Sequence, residues 1–588
     1  MTSGALNPIV ANPAITAAEA AQTKVNSCLE AGRSFRLEAG AGAGKTYSLV
    51  AALKRLIAEK GEALIRTGQK VACITYTEAG RDEIAQEIED HPAILVETIH
   101  AFSWGLLRQF QKSLRDIVNM MEDRRQKIEA GGGVESKLVD YDLGFFGVDD
   151  KRITLDHDDI PLFMAKLLKN TKFQRLLTQQ FPVIFIDEYQ DTDRDFMQAI
   201  TDNFLSTGDG PLIGLFGDHW QTIYRSEYEL ADYPVEEIAK GSNFRSVAAI
   251  VNMLNNLRPE LSQVVSDSKA KGEARFFHVN GYECERTDEA QSKGDVSADL
   301  ARTIRENLMV RLESEGWNLA KTKVLMLTHN SLAKDLGYPS IAEIFKGRTA
   351  WFAKKEDPTI EFLIETLEPM CDAYLHSRYG EMFRLFGGQP GIVCHNDKIS
   401  WREDMDELLR LRNESTIGSV IDHLRKTHRP QVPSRIVRKE EELAALGDNP
   451  IPEENKSLNR HSALRAVDYL ELIELRKFVE GETMLATQHS VKGAEFENVL
   501  VVLGGGWNHY NWPLLFELLE TKKLNNKNTK GYYRARNLFY VSVSRPMVRL
   551  AVLATQLLSD TALAAVTRLF GPDHVEMLDP ASFPTSQS

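Results

Sequence analysis

Short apolar runs bounded by polar turns recur along this chain, separated by stretches with helical spacing. Phe35 and Leu37 lead into a Gly-rich turn, and Tyr47 to Leu56 reads as a helix leading out of it. Val71-Ala-Cys-Ile-Thr-Tyr-Thr77 is β-branched and predicts a strand, Glu78 to Ile88 a helix, and Ile94 to Phe102 a second short strand with a Thr-Ile-His turn. Val183-Ile-Phe-Ile-Asp187 and Leu212-Ile-Gly-Leu-Phe-Gly-Asp218 are apolar runs that end in carboxylates. Further strands are expected at Lys323–Thr328, Asn498–Leu503 and Leu538–Ser544. Strands alternating with helices imply open parallel sheets, with ligands outside the carboxyl ends of the strands. Lys45, Asp187 and Asp218 all fall at such ends.

Two stretches break the alternation. Residues 105–180 are charged and helical, with a flexible break at Gly131-Gly132-Gly133. Residues 336–477 are also helical and charged, and they carry the basic cluster Arg425, Lys426, Arg429, Arg435, Arg438 and Lys439. A solvated face and a duplex-binding patch explain that cluster equally well. Residues 1–21 are rich in Ala, Asn and Pro and are expected to be loosely ordered at first.

Composition narrows the class. A length of 588 residues suggests roughly four domains, and a hydrophobic fraction of 43% is that of an ordinary globular protein. No run of eighteen apolar residues occurs, and no Lys or Arg precedes Ala21, so neither a membrane span nor a secretory leader is expected. The five cysteines, Cys28, Cys73, Cys284, Cys371 and Cys394, are scattered singly, which points to a reduced, cytoplasmic protein without a zinc or iron–sulfur site. A net charge of −14 argues against indiscriminate coating of polyanions, but leaves room for a channel lined by local cations.

The candidate chemistry centres on Ala39-Gly40-Ala41-Gly42-Ala43-Gly44-Lys45-Thr46. It is a phosphate-loop pattern with Ala39 in the place of the first glycine, set between a strand and a helix as the pattern requires. Its glycines let backbone N–H groups face a triphosphate, and the helix start adds positive potential. Lys45 would hold the β- and γ-phosphates and Thr46 would ligate Mg²⁺. Asp187 can hold the metal and Glu188 can accept a proton from attacking water. Gln221, in Gly217-Asp-His-Trp-Gln-Thr-Ile-Tyr224, can sense the γ-phosphate or orient water. Arg245, in Ser242-Asn-Phe-Arg-Ser246, can reach the γ-phosphate while Phe244 stacks on adenine. Gln22, upstream, is an amide that can read adenine, a role for which Glu19 competes.

With Thr487-Gln-His-Ser-Val-Lys-Gly-Ala-Glu-Phe496 and Arg536-Asn-Leu-Phe-Tyr-Val-Ser-Val-Ser-Arg545 added, the chain resembles a superfamily 1 helicase of the UvrD/Rep/PcrA type. The motifs stand in order across both motor lobes, and an unrelated P-loop NTPase would not explain the block at 487–496. The resemblance implies an α/β fold of two RecA-like parallel-sheet lobes, each with a mainly helical insertion. Its boundaries would be lobe one at 1–104 and 181–250, its insertion at 105–180, lobe two at 251–335 and 478–588, and its insertion at 336–477. It implies ATP and Mg²⁺ as cofactors, Glu495 as a ribose contact, and Arg545 as an arginine finger supplied across the cleft. It also implies contacts to single-stranded DNA at Tyr76, Thr77, His100, Phe102, Trp220, Tyr224, Thr487 and His489. For each aromatic, core packing is an equally good reading.

The chain departs from that family in instructive ways. The family usually follows its Q-x-I-Y motif with an aromatic and Arg-Gly; here Tyr224 precedes Arg225-Ser226-Glu227-Tyr228, leaving Trp220 or Tyr228 as substitutes. Both insertions are short, the second has no R-G-I-G-like hairpin, and no nuclease signature follows Arg545. The trimmed shape also resembles UvrD-like subunits that partner a separate nuclease in anti-phage systems of the Gabija type. Two functions are therefore expected: a DNA-stimulated ATPase translocating on single strands, 3′→5′ by resemblance, in repair or defence; or a DNA-sensing ATPase subunit that controls a nuclease and unwinds little.

Overall fold

The computed structural model describes residues 12–141, 146–223, 233–288, 293–327, 329–346, 352, 355, 357–386, 391–447, 449–453, 455–504 and 510–580. Two six-stranded parallel sheets organise them. The first contains β1 (Phe35–Ala39), β2 (Val71–Thr75) and β3 (Ile94–Thr98). A small sheet of β4 (Leu138–Tyr141), β5 (Gly147–Val148) and β6 (Arg152–Leu155) follows in the chain. Then come β7 (Val183–Asp187), β8 (Leu212–Gly217) and β9 (Glu236–Lys240), giving the order β3-β2-β7-β8-β1-β9. The short pair β10 (Ser242–Asn243) and β11 (Val264–Val265) leads to the second sheet. Its strands are β12 (Glu273–His278), β13 (Thr322–Met326), β14 (Leu485–Thr487), β15 (Phe496–Leu503), β16 (Pro546–Ala554) and β17 (Val575–Met577), in the order β14-β13-β15-β16-β12-β17.

β2, β7 and β8 are apolar along most of their length because helices cover both faces of the sheet. Phe35, Phe185 and Phe216 meet edge to face on one side of the first sheet, while Ile184, Ile186 and Leu215 pack against the inserted segment on the other. The α/β reading with two lobes holds.

Four local expectations change. Residues 13–31 are already helical: α1 (Pro13–Ala31) starts at Asn12, whose side chain accepts from the Ala14 and Ile15 amides, with Pro13 in the first turn. The strand expected over Ile94–Phe102 stops at Thr98, whose hydroxyl caps the helix Ile99–Leu107. Leu538–Ser544 is not a strand but the end of the helix Thr529–Val543. Its side chains are buried on every face, so no polar stripe marks the period, and a short apolar run alone does not separate a buried helix from a buried strand. The first insertion carries the sheet β4-β6-β5 as well as helices. The helix Ala248–Leu257 packs Ile250, Met253 and Leu254 into the core of the second sheet. No helix among the described residues is long and apolar enough to cross a membrane.

Candidate nucleotide site

The phosphate loop follows β1 and opens onto a cavity of about 710 Å³ between the lobes. Ala39 closes β1 as an ordinary strand residue, which is why the first position of the pattern tolerates a side chain. Gly42 and Gly44 take φ of 72° and 74°, so the loop needs glycine at both. A Cβ at Gly42 would also stand 2.7 Å from Arg245 Cβ. The helix α2 (Lys45–Thr67) begins at Gly44 and aims its first N–H groups at the cavity. The same cavity is lined by Thr46, Tyr76, Thr77, Asp187, Glu188, Gln221, Phe244, Arg245, Glu495 and Arg545.

Charge is paired inside it. Lys45 Nζ lies 3.3 Å from Asp187 and is bonded to Glu188. Burial works against the Lys45 ammonium, but the two carboxylates outweigh it and hold its pKa above the usual value. Glu188 sits in left-handed backbone at φ 50°, a strained conformation that turns its carboxylate back toward the loop. Burial pushes Glu188 up, yet Lys45 and Lys492 hold it below the usual carboxylate range. Burial raises Asp187 despite Lys45.

The second lobe closes the wall. Arg545 Nη2 donates to Gln221 Oε1 at 3.2 Å, and its Nε donates to Val541 O at 2.8 Å. Burial, with Arg245 nearby, pulls Arg545 down to about 9. Arg245 pairs with Glu495 at 2.7 Å, and Gln221 donates to Asp218 at 2.8 Å. Tyr540 Oη accepts from the Ala41 amide at 3.1 Å, docking the helix Thr529–Val543 against the phosphate loop.

Other expected residues fall outside the cavity. Gln22 lies on α1 and bonds Asn26 at 3.3 Å; its Oε1 is buried and accepts no hydrogen bond among the described residues. His100 stacks on His157 at 3.4 Å between ring centroids, and burial and His157 pull it down to about 4. His489 bonds the Tyr510 hydroxyl at 2.8 Å. Phe102, Trp220 and Thr487 are buried. Phe102 packs on Phe181 in the first core, Trp220 lies under the Arg536 guanidinium at 3.7 Å, and Thr487 is a buried cap for the Ser490 amide. Aromatic type alone does not separate a stacking platform from core. Tyr224 lies outside the described residues.

The sequence reading missed four partners. Lys492 bonds Asp191 and donates to the Gln221 carbonyl at 2.8 Å, so it links the lobes at the cavity wall; its motif was visible but its role was not. Gln190 holds Glu188 and accepts from the Asp218 amide at 3.1 Å. Arg258 bridges Glu38 at 2.9 Å and Asp218 at 2.6 Å. Lys240 donates to Gly44 O behind the loop. No short-range signal marks Arg258 or Lys240, because their partners are distant in sequence.

Residues 22–227 match a family model described as an AAA domain. The Gabija protein GajB of Bacillus cereus (strain HuB5-5) is 23% identical over 650 aligned positions, covering 87% of this chain and 92% of that one. The RecBCD enzyme subunit RecB of Chlamydia pneumoniae is 30% identical over 133 residues, 22% of this chain and 12% of that subunit. RecB of Chlamydia trachomatis serovar D is 32% identical over 111 residues, 19% of this chain and 11% of the relative. The chain resembles the UvrD-type helicases across both lobes. It is a helicase-like P-loop protein, and the likeness to GajB covers most of both chains, whereas that to RecB is confined to a short stretch.

Proposed function

We propose that this chain hydrolyses ATP between its lobes and moves along single-stranded DNA, in the 3′→5′ direction. The observation that carries the reading is the cavity in which Lys45, Asp187 and Glu188 of one lobe face Arg545 of the other. The fit to a metal–triphosphate is chemical: Asp187 Oδ1 is buried with the Lys45 ammonium at 3.3 Å as its cation and no well-aligned hydrogen bond among the described residues, and the Thr46 hydroxyl stands at the helix start. Thr46 and Asp187 would hold Mg²⁺, which neutralises charge on the phosphates when bound. Lys45 then exchanges its carboxylates for the β- and γ-phosphates, Glu188 takes the proton of the attacking water, and Gln221 orients it. Phe244 stacks on the base, Arg245 and Arg545 bear on the γ-phosphate, and Glu495 meets the ribose. Tyr76 and Thr77, at the exposed end of β2, would meet the strand.

The likeness to GajB favours a second reading, in which ATP turnover regulates a separate nuclease in a Gabija-type defence complex. ATPase and strand-displacement assays on single-stranded, 3′-tailed and 5′-tailed DNA, with and without co-purifying proteins, separate the two. DNA-stimulated turnover with displacement by the chain alone supports the motor; stimulation without displacement supports the regulator. Equal turnover by wild type and Lys45→Ala would remove both.

A further inference from the structure

Lys240 ends β9 and lies directly behind the phosphate loop, in register with Ala39 of β1. It is 1% exposed. Its ammonium donates to Gly44 O at 2.6 Å and to Ser48 Oγ at 2.7 Å. Neither partner is charged, and no carboxylate pairs with it among the described residues. Among the described residues its ammonium faces the Tyr47 ring, with the centroid 6.0 Å away, and Phe244 borders the same space over Gly44. A buried cation without a counter-ion is costly, so a residue kept in this state needs an anion from elsewhere.

Gly44 O belongs to the same peptide group as the Lys45 N–H, the first amide of α2. A cation drawing on that carbonyl polarises the peptide and makes its N–H a stronger donor. The donor faces the cavity, and the cation adds positive potential to that of the helix end.

We propose that Lys240 is a positioning residue of the nucleotide site: held behind Gly44, it strengthens the Lys45 amide as a phosphate donor and supplies an unpaired positive charge that the triphosphate compensates. The proposal rests on a nucleotide occupying the phosphate loop. Burial alone, with no charged neighbour contributing, pulls Lys240 down to about 8. A bound polyanion favours the charged form, so nucleotide affinity is highest below that value and falls as pH rises through it.

The test is binding of N-methylanthraniloyl-ADP to the full chain, read by fluorescence from about pH 7 to 9. Lys240→Met fills the same space without charge. It should weaken binding roughly tenfold at neutral pH, a single lost charge interaction, while the melting temperature without nucleotide stays level or rises. Lys240→Arg keeps a charge that does not titrate here, so it should bind like wild type at neutral pH and lose less affinity as pH rises. Wild-type affinity in Lys240→Met, or an identical pH profile in wild type and Lys240→Arg, overturns the role; the arginine comparison decides alone if the methionine variant does not fold. Failure of wild type itself to bind nucleotide would instead remove the reading on which the role rests.

Discussion

Arg545 of the second lobe donates a hydrogen bond to Gln221 of the first at 3.2 Å across the cavity. The contact joins two residues that the γ-phosphate is expected to bring together, so in this conformation the amide holds the arginine's place. Lys492 reinforces the same junction by donating to the Gln221 carbonyl at 2.8 Å. The lobes are thus coupled through Gln221, whose side chain is also fixed by Asp218 at 2.8 Å.

Removing the Arg545 side chain should leave nucleotide binding nearly intact and reduce hydrolysis by about 10³–10⁵-fold, the range for lost arginine fingers. DNA stimulation should disappear with it, because stimulation acts by favouring the closed cleft. The assay is DNA-stimulated turnover of Arg545→Ala at saturating ATP. A rate within about threefold of wild type would mean that cleft closure does not work through this residue.

Glu188→Gln keeps the shape and the hydrogen bond to Gln190 but cannot take a proton. Hydrolysis should fall by roughly 10²–10⁴-fold while ATP still binds. Without nucleotide, Lys45 and Lys492 hold this carboxyl below its usual range. Single-turnover rates alongside ATP affinity decide the role: collapse of affinity with an unchanged rate per bound ATP would make Glu188 a binding residue.

The parts of this molecule that local pattern specifies were legible before the fold. Apolar strands ending in Ala39, Asp187 and Gly217 announced a parallel sheet, and the Gly-rich loop announced what its edge could bind. What stayed hidden depended on the other lobe. The end of the helix that bears Tyr540 and leads to Arg545 read as a strand because it is buried on all sides by contacts the sequence does not show. For Phe102 and Trp220, stacking on DNA and core packing stayed equally open, because an aromatic in a motif has the same letter whether it faces a strand or a core. Arg258 gave no signal at all, since Glu38 and Asp218 lie 220 and 40 residues away.

Tyr76 and Phe102 separate those two kinds of aromatic. Tyr76 is 40% exposed at the end of β2, whereas Phe102 is 3% exposed against Phe181. Tyr76→Ala should weaken single-strand binding by about 1–3 kcal/mol, the value of one stacked base, with little change in melting temperature. Phe102→Ala should destabilise the fold by about 3–5 kcal/mol through the cavity it leaves. Strand affinity against melting temperature for the two variants is the check; a strand defect in Phe102→Ala without loss of stability would return that ring to the DNA path. Where phosphates are also gripped, affinity should fall with salt at a slope of about −0.7 per neutralised phosphate.

Arg258 carries the last prediction, because it sets the stability of the loop's foundation. It is almost fully buried and bonded to both Glu38, which precedes the phosphate loop, and Asp218, which holds Gln221. His219 and Tyr189 also bond Glu38, at 2.6 and 2.7 Å. Burial pushes the Glu38 carboxyl up, but His219 and Arg258 outweigh it and hold it below the usual range. A carboxyl with a depressed folded-state pKa contributes stability above its unfolded value, near 4.3 for Glu, and that contribution is lost as pH falls through the folded value. Arg258→Ala leaves two buried carboxylates facing an uncompensated space and should cost about 3–5 kcal/mol at neutral pH. Without the guanidinium the carboxyls gain from protonation, so the gap between variant and wild type should narrow as the pH is lowered. Urea midpoints of both proteins at about pH 7 and 4.5 measure this. A gap of the same size at both values would show that Arg258 acts through packing on Trp220 and Tyr540, with ring centroids at 5.2 and 5.6 Å, and not through charge.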